Sequence, residues 1–308
     1  MKVLGIGNAI VDVLCKIQDD FLIKNSLQKG TMKLIDESEF KKLLSILKIE
    51  ETVSGGSVAN TIVGLSQQKI NVGFIGKVND DELGLKYELG LKEENVKYLY
   101  NKKKEALPTG TCLILITPDS ERTMCTFLGT SGSISEQDIN TSEIEKSELV
   151  LLEGYLWDKG EPKKAFDKAI KHSKKTAMSL SDIFCVERHK DDFLDLVCHK
   201  LDSVFSNEQE IMALINAKKF KEVIEFGKKI KKNLIITRGA NGSMVIENNK
   251  VFECPAKKNI ALVDLTGAGD LFAAGFLYGR LNNLSMNDCL KKGTELSSKI
   301  IQKTGARL

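Results

Sequence analysis

Residues 264–270 read Asp-Leu-Thr-Gly-Ala-Gly-Asp and run straight into the apolar stretch Leu271-Phe272-Ala273-Ala274-Gly275-Phe276-Leu277. Small residues let a backbone crowd a ligand. A helix starting there turns its free N–H groups and positive dipole end to the same point, which suits an anion. The string also places the Asp270 carboxylate at that point. A carboxylate facing bound phosphate is repelled unless it has a task, and accepting the proton of an attacking hydroxyl is such a task. The chemistry expected is phosphoryl transfer with Asp270 as base. The amides of Gly267, Ala268 and Gly269 would then stabilise charge developing on the transferred group. An isolated Gly-x-Gly-Asp could equally be a tight turn with a capping Asp.

A second glycine string, Gly55-Gly56-Ser57-Val58-Ala59-Asn60, lies about 210 residues upstream. The two strings, in this order, resemble the paired signatures of the ribokinase-like (PfkB) family of carbohydrate and nucleoside kinases, and the resemblance covers nearly the whole chain. It implies ATP and Mg2+, and many members of the family also respond to a monovalent cation such as K+; no residue here decides that last point. Asn8 and Asp12, four residues apart after an apolar run, suit vicinal hydroxyls as donor-acceptor and acceptor, and Asp12 matches the family's sugar-binding Asp. Gly55 and Gly56 would let the chain approach a ribose closely, and Asn60 offers an amide one turn into the helix. Arg122 is the candidate for a mobile phosphate clamp, since a guanidinium fork fits phosphate oxygens better than an ammonium; its place matches the lid arginine of the family's nucleoside kinases.

On the donor side, Asn207-Glu208-Gln209-Glu210 resembles the family's Asn-x-x-Glu motif, which makes Glu210 a magnesium-site residue acting through water. Thr237-Arg238-Gly239-Ala240-Asn241-Gly242 resembles its nucleotide loop, with Thr237, Gly239 and Gly242 near the phosphates together with Thr266. Read without the family, Asn207 is a helix cap and Ala240-Asn241-Gly242 a hairpin turn. Several strings resemble the adenosine-kinase branch more than the ribokinases: Gly5-Ile6-Gly7-Asn8 with Asp12, Asp20-Phe21-Leu22, and Leu180-Ser181-Asp182-Ile183-Phe184. The branch implies a nucleoside acceptor. Phe184 could stack on a purine, and Tyr155 or Trp157 could line the same wall or belong to the core. A free sugar such as ribose or fructose is the alternative acceptor, and a nucleotide-binding regulator without catalysis the distant one. The departures are Leu265 and Thr266, where the family often has Thr followed by a variable residue, and Thr294, where some ribokinases carry an adenine-site Asn.

Composition narrows the classes. The net charge of +3 is too small to argue for nucleic acid or an acidic membrane surface, and 40 lysines against five arginines read as genomic habit. The seven cysteines contain no CxxC pair and are odd in number, which fits a reducing cytoplasm. His172, His189 and His199 have no ligand spacing, so no zinc site is expected. No signal peptide or membrane span is visible. The dinucleotide fingerprint fails because Ile10 stands at its third glycine, and Gly76-Lys77 lacks the glycines of a P-loop.

Chemistry of this kind needs a rigid frame. Apolar runs of strand length (2–7, 72–78, 149–154, 177–180, 203–205, 234–237) alternate with amphipathic segments (37–48, 57–67, 162–174, 208–216, 218–231). That order predicts an α/β fold with a mostly parallel sheet, helices on both faces, and ligands beyond the carboxyl ends of its strands. Residues 110–115 and 122–128, separated by Pro118-Asp119-Ser120, read as a β-hairpin, and 11–17 and 31–35 supply further strands. In the resembled family such a sheet forms a lid over the sugar site. The expected division is a large α/β nucleotide-binding domain of residues 1–10, 36–106 and 129–308, with a small β lid of residues 11–35 and 107–128. A monomer and a homodimer are equally compatible with the exposed edge of that lid.

Overall fold

The computed structural model describes residues 1–119 and 121–308; Ser120, in the expected hairpin turn, lies outside the described residues. Fourteen strands follow one another among them: β1 (Val3–Ile6), β2 (Ile10–Lys16), β3 (Met32–Leu34), β4 (Glu51–Ser54), β5 (Val72–Ile75), β6 (Lys97–Tyr98), β7 (Gly110–Ile116), β8 (Arg122–Phe127), β9 (Leu149–Glu153), β10 (Thr176–Ser179), β11 (Ser203–Asn207), β12 (Asn233–Thr237), β13 (Ser243–Glu247) and β14 (Lys250–Cys254). Nine of them form one sheet in the order β14-β13-β12-β11-β10-β9-β1-β5-β6, parallel from β12 to β6, with β13 and β14 added antiparallel at one edge.

β1, β5 and β9 are buried along their whole length, as apolar strands covered on both faces must be, with Glu153 at the end of β9 the charged exception. Side chains of β9 alternate between layers. Leu149 and Leu151 join the core beneath the helices Ser57–Gln67, Ala268–Leu281 and Met286–Ile300, whereas Val150 and Leu152 join the core beneath Glu161–His172 and Glu208–Leu214. The fold class is the one expected, and the helix Ser57–Gln67 has the bounds read from sequence. β5 stops at Ile75 rather than reaching Val78, because the Gly76 carbonyl leaves the ladder to accept from the Tyr98 hydroxyl at 2.6 Å.

The remaining five strands form a second sheet, β3-β8-β7-β2-β4, that faces the carboxyl ends of the first. The expected hairpin is present as β7 and β8, and the segments around 11–17 and 31–35 are present as β2 and β3. β4 is an addition: it carries Glu51 and Thr52 with little apolar patterning and owes its extended form to pairing with β2. The β13–β14 edge was also not read from sequence, although Asn248 and Asn249 both sit at positive φ, the two-residue turn geometry that Asn tolerates.

Candidate active site

A cavity of about 530 Å³ opens between the two sheets. Its walls come from the ends of strands: Asn8 after β1, Glu153 closing β9, Ser181 after β10, Ser206 and Asn207 closing β11 and Thr237 closing β12. β1 is the point where strand order reverses, with β5 on one side and β9 on the other, so the adjoining loops diverge and leave a crevice. The second sheet closes it with Ile10, Asp12, Met124 and Thr126.

Asp270 stands in the first turn of the helix Ala268–Leu281, whose cap Gly267 has φ +76°. The first i→i−4 bond of that helix runs from Leu271 N to Gly267 O, so the amides of Ala268, Gly269 and Asp270 precede its ladder. Ala268 N turns back to Leu265 O at 3.1 Å. A Cβ at Gly269 would meet nothing within 4 Å, so a ligand can reach that backbone closely. The Asp270 carboxylate accepts from Ser57 Oγ at 2.7 Å and Asn60 Nδ2 at 3.0 Å. Burial pushes its carboxyl up to about 6, against the lowering effects of those two bonds and of Arg307. Such a group is ionised at neutral pH and close to its protonation point, which is what a general base requires.

The acceptor side is built around Asn8, Asp12 and Glu153. Asn8 N and Val58 N donate to the two oxygens of Glu153 at 3.2 and 2.8 Å, binding the loop after β1 to the start of the helix Ser57–Gln67. Asn8 Oδ1 is buried with no protein partner, ready to accept from a hydroxyl. Burial pushes Asp12 up to about 7. Gly55 makes room for Asp12 rather than for a ligand, because a Cβ there would strike the Asp12 carboxylate; Gly56, at φ +96°, lines the cavity. Asn60 also differs from expectation: its amide NH2 is engaged by Asp270.

Arg122 is not in the main cavity. Its Nη2 lies 3.1 Å from Asp264 in an adjoining cavity of about 290 Å³, shared with Asp12, Asn60, Thr266 and Arg307. Asp264 also accepts from Thr266 N and Oγ1 and from Gly305 N, so the expected clamp is an ion pair between β8 and the loop before the glycine turn.

Donor-side residues divide. Thr237, Asn207, Glu210 and Thr266 line the main cavity, whereas Gly239 and Gly242 form a turn beyond β12 that does not. Glu210 is drawn into a capping box with Asn207, accepting from Asn207 N at 2.9 Å and from its Nδ2 at 2.5 Å, and burial pushes its carboxyl up to about 7. Among the described residues no three His, Cys, Asp or Glu side chains could together hold a metal ion. A divalent cation therefore fits here only as part of a metal–nucleotide, with Glu210 at the wall. Phe184 is half exposed and, like Tyr155, lines the cavity, while Trp157 is fully buried against His189 and Phe193 in the core.

Ser57, Glu153 and Arg307 were missed. Ser57 lay inside the quoted glycine string, and Glu153 was legible as a carboxylate ending an apolar strand; Arg307 belongs to Thr304-Gly305-Ala306-Arg307, a string that resembles related bacterial adenosine and sugar kinases but implied no role for the arginine.

The description of pfkB family carbohydrate kinases matches residues 32–308. The adenosine kinase from Sinorhizobium meliloti superposes with a TM-score of 0.91 at 34% identity, covering 100% of this chain and 95% of that one. A probable sugar kinase from Rhizobium etli CFN 42 gives 0.90 at 35% identity over 99% and 94%. Adenosine kinase 2 of Arabidopsis thaliana is 25% identical over 98% of this chain and 94% of its own length.

Proposed function

Because the chain belongs to the pfkB family of carbohydrate kinases, we propose that it transfers the γ-phosphoryl group of ATP to the primary hydroxyl of a nucleoside, adenosine to AMP in a purine-salvage step, with Asp270 as base. The observation that carries this reading is the position of Asp270: a partly buried carboxylate in the first turn of a helix whose Gly269 and Asp270 amides precede its ladder, inside the cavity between the sheets.

The nucleoside would lie under the second sheet, acting as a lid, with its ribose hydroxyls at Asn8 and Asp12 and its base near Tyr155 and Phe184. Ser57 and Asn60 hold the Asp270 carboxylate still, and it takes the proton of the attacking hydroxyl. The amides of Gly267 and Gly269 would face the charge that develops on the moving group, whereas the Ala268 amide, expected to join them, is taken by Leu265 O. Closure of the lid excludes water, a competing acceptor. Glu210 is the residue that would hold magnesium, through water, when a metal–nucleotide is bound, and the ion would there supply neutralisation of phosphate charge. All seven cysteines are free, which supports a reducing compartment such as the cytoplasm. No helix among the described residues is long and apolar enough to cross a membrane.

Two measurements test the reading. ADP release with ATP and a panel of adenosine, inosine, guanosine, ribose and fructose should favour adenosine; activity on a free sugar alone would reassign the acceptor. Asp270→Asn should bind ATP normally and lose about 10²–10⁴-fold in turnover, the span of a lost general base. Near-normal turnover in that variant would remove Asp270 from the role.

A further inference from the structure

Arg307 lines the smaller, adjoining cavity with Asp12, Asn60 and Arg122, and its side-chain hydrogen-bond partner lies far away in sequence. Its Nε donates to Asn60 Oδ1 at 3.2 Å, and its Nη2 is buried with no partner in the protein. The flanking residues fix it from both sides: Gly305 N donates to Asp264 at 2.8 Å, Leu308 O accepts from Gln67 at 3.3 Å, and Ala306 packs so closely on Gly267 that a Cβ there would come within 2.8 Å of it. A guanidinium has donors only, so it admits one orientation of the Asn60 amide, oxygen towards Arg307 and NH2 towards Asp270. Rotated the other way, that amide would set an oxygen against the Asp270 carboxylate.

Charge points in the same direction. Asp270 shares its surroundings with Asp12, Glu153 and Tyr155, and its direct partners Ser57 and Asn60 are neutral. Arg307 itself faces Tyr87, Glu94, Asp12 and Asp270, and it favours the ionised form of both aspartates. Arg122 also acts on Asp12 but is paired with Asp264.

We propose that Arg307 is a positioning residue for phosphoryl transfer, acting through Asn60 to present an amide donor to the base Asp270 and supplying the positive charge that keeps Asp12 and Asp270 from repelling one another. This rests on Asp270 being the base. Arg307→Gln should lower kcat by about 10–100-fold with KM for ATP changed by less than about threefold, and should move the acidic limb of the kcat/KM profile to higher pH. Arg307→Lys, which keeps the charge without the fork, should return the limb to its original pH while recovering only part of kcat. If Arg307 acts through Asn60, adding Arg307→Gln to Asn60→Ala should cost less than about threefold further, a non-additivity expected of one connected unit.

Unchanged kcat and an unmoved limb in Arg307→Gln, or full additivity with Asn60→Ala, would overturn the inference. If Arg307→Gln does not fold, Arg307→Lys decides: reduced kcat with the limb in place supports it, and wild-type kcat refutes it. Asp270→Asn run beside them separates the two claims. An inactive Asp270→Asn with an unaffected Arg307→Gln removes only Arg307, whereas an active Asp270→Asn removes the premise.

Discussion

Glu153 holds together the two segments that present the acceptor residues, since one carboxylate takes the N–H groups of both Asn8 and Val58. Burial pushes it up to about 7, so the site keeps a costly group for the sake of two backbone contacts. Glu153→Gln keeps the shape but turns an NH2 towards one of those N–H groups. It should destabilise the protein by about 1–3 kcal/mol, read from urea unfolding; unchanged stability would mean the two contacts are not holding the loops. The residues that a sequence can reveal are those whose neighbours along the chain constrain them. Asp270 and Asp12 were legible because each lies in a string whose small residues and strand ends imply a use. Ser57, Glu153 and Arg307 acquire their roles from partners 213, 95 and 247 residues away, so the strings around them can flag a residue without saying what it meets.

Between elements, the decisive contact is the close packing of the helices Ser57–Gln67 and Ala268–Leu281. Gly64 sets their separation: a Cβ there would come within 2.9 Å of the Ala274 Cβ and 3.0 Å of Leu271. That spacing brings Ser57 and Asn60 to Asp270. Gly64→Val should therefore cost about 1–3 kcal/mol by overpacking and also lower kcat, since widening the gap withdraws both donors from the base. Thermal melting and steady-state kinetics on one preparation check both halves; lost stability with intact kcat would show that the donors tolerate the shift. Alternation of apolar runs and amphipathic helices made the parallel sheet readable, because strands buried on both faces leave an unmistakable composition. β4 was not readable, since an edge strand with Glu51 and Thr52 on it is extended only because β2 is beside it. Arg122 shows the same limit: its type was informative, but Asp264, the group it meets, belongs to a loop more than a hundred residues away.

Across the molecule, four carboxyls gather around the cavity, Glu153 and Glu210 buried and Asp12 and Asp270 partly so. Asp12, Glu153 and Glu210 are each pushed up to about 7 and Asp270 to about 6, from ordinary values of 3.8 for Asp and 4.5 for Glu, with burial the largest cause in every case. The folded chain binds protons at these groups more tightly than the unfolded chain does. Their contribution to stability is therefore complete below about pH 4 and is lost as pH rises through 6 to 7. The ligand-free protein should melt at a lower temperature at pH 8 than at pH 5.5, and Asp12→Asn should flatten that slope; a melting temperature that climbs over this interval would contradict the assignment. One further property follows from the position of β1 in the middle of the large sheet. Val3 pairs with Val72 on one side and Leu149 on the other. During synthesis β1 can be paired on one side only until β9, which meets it through Leu149, has also left the ribosome, so its apolar edge stays uncovered over that interval of translation.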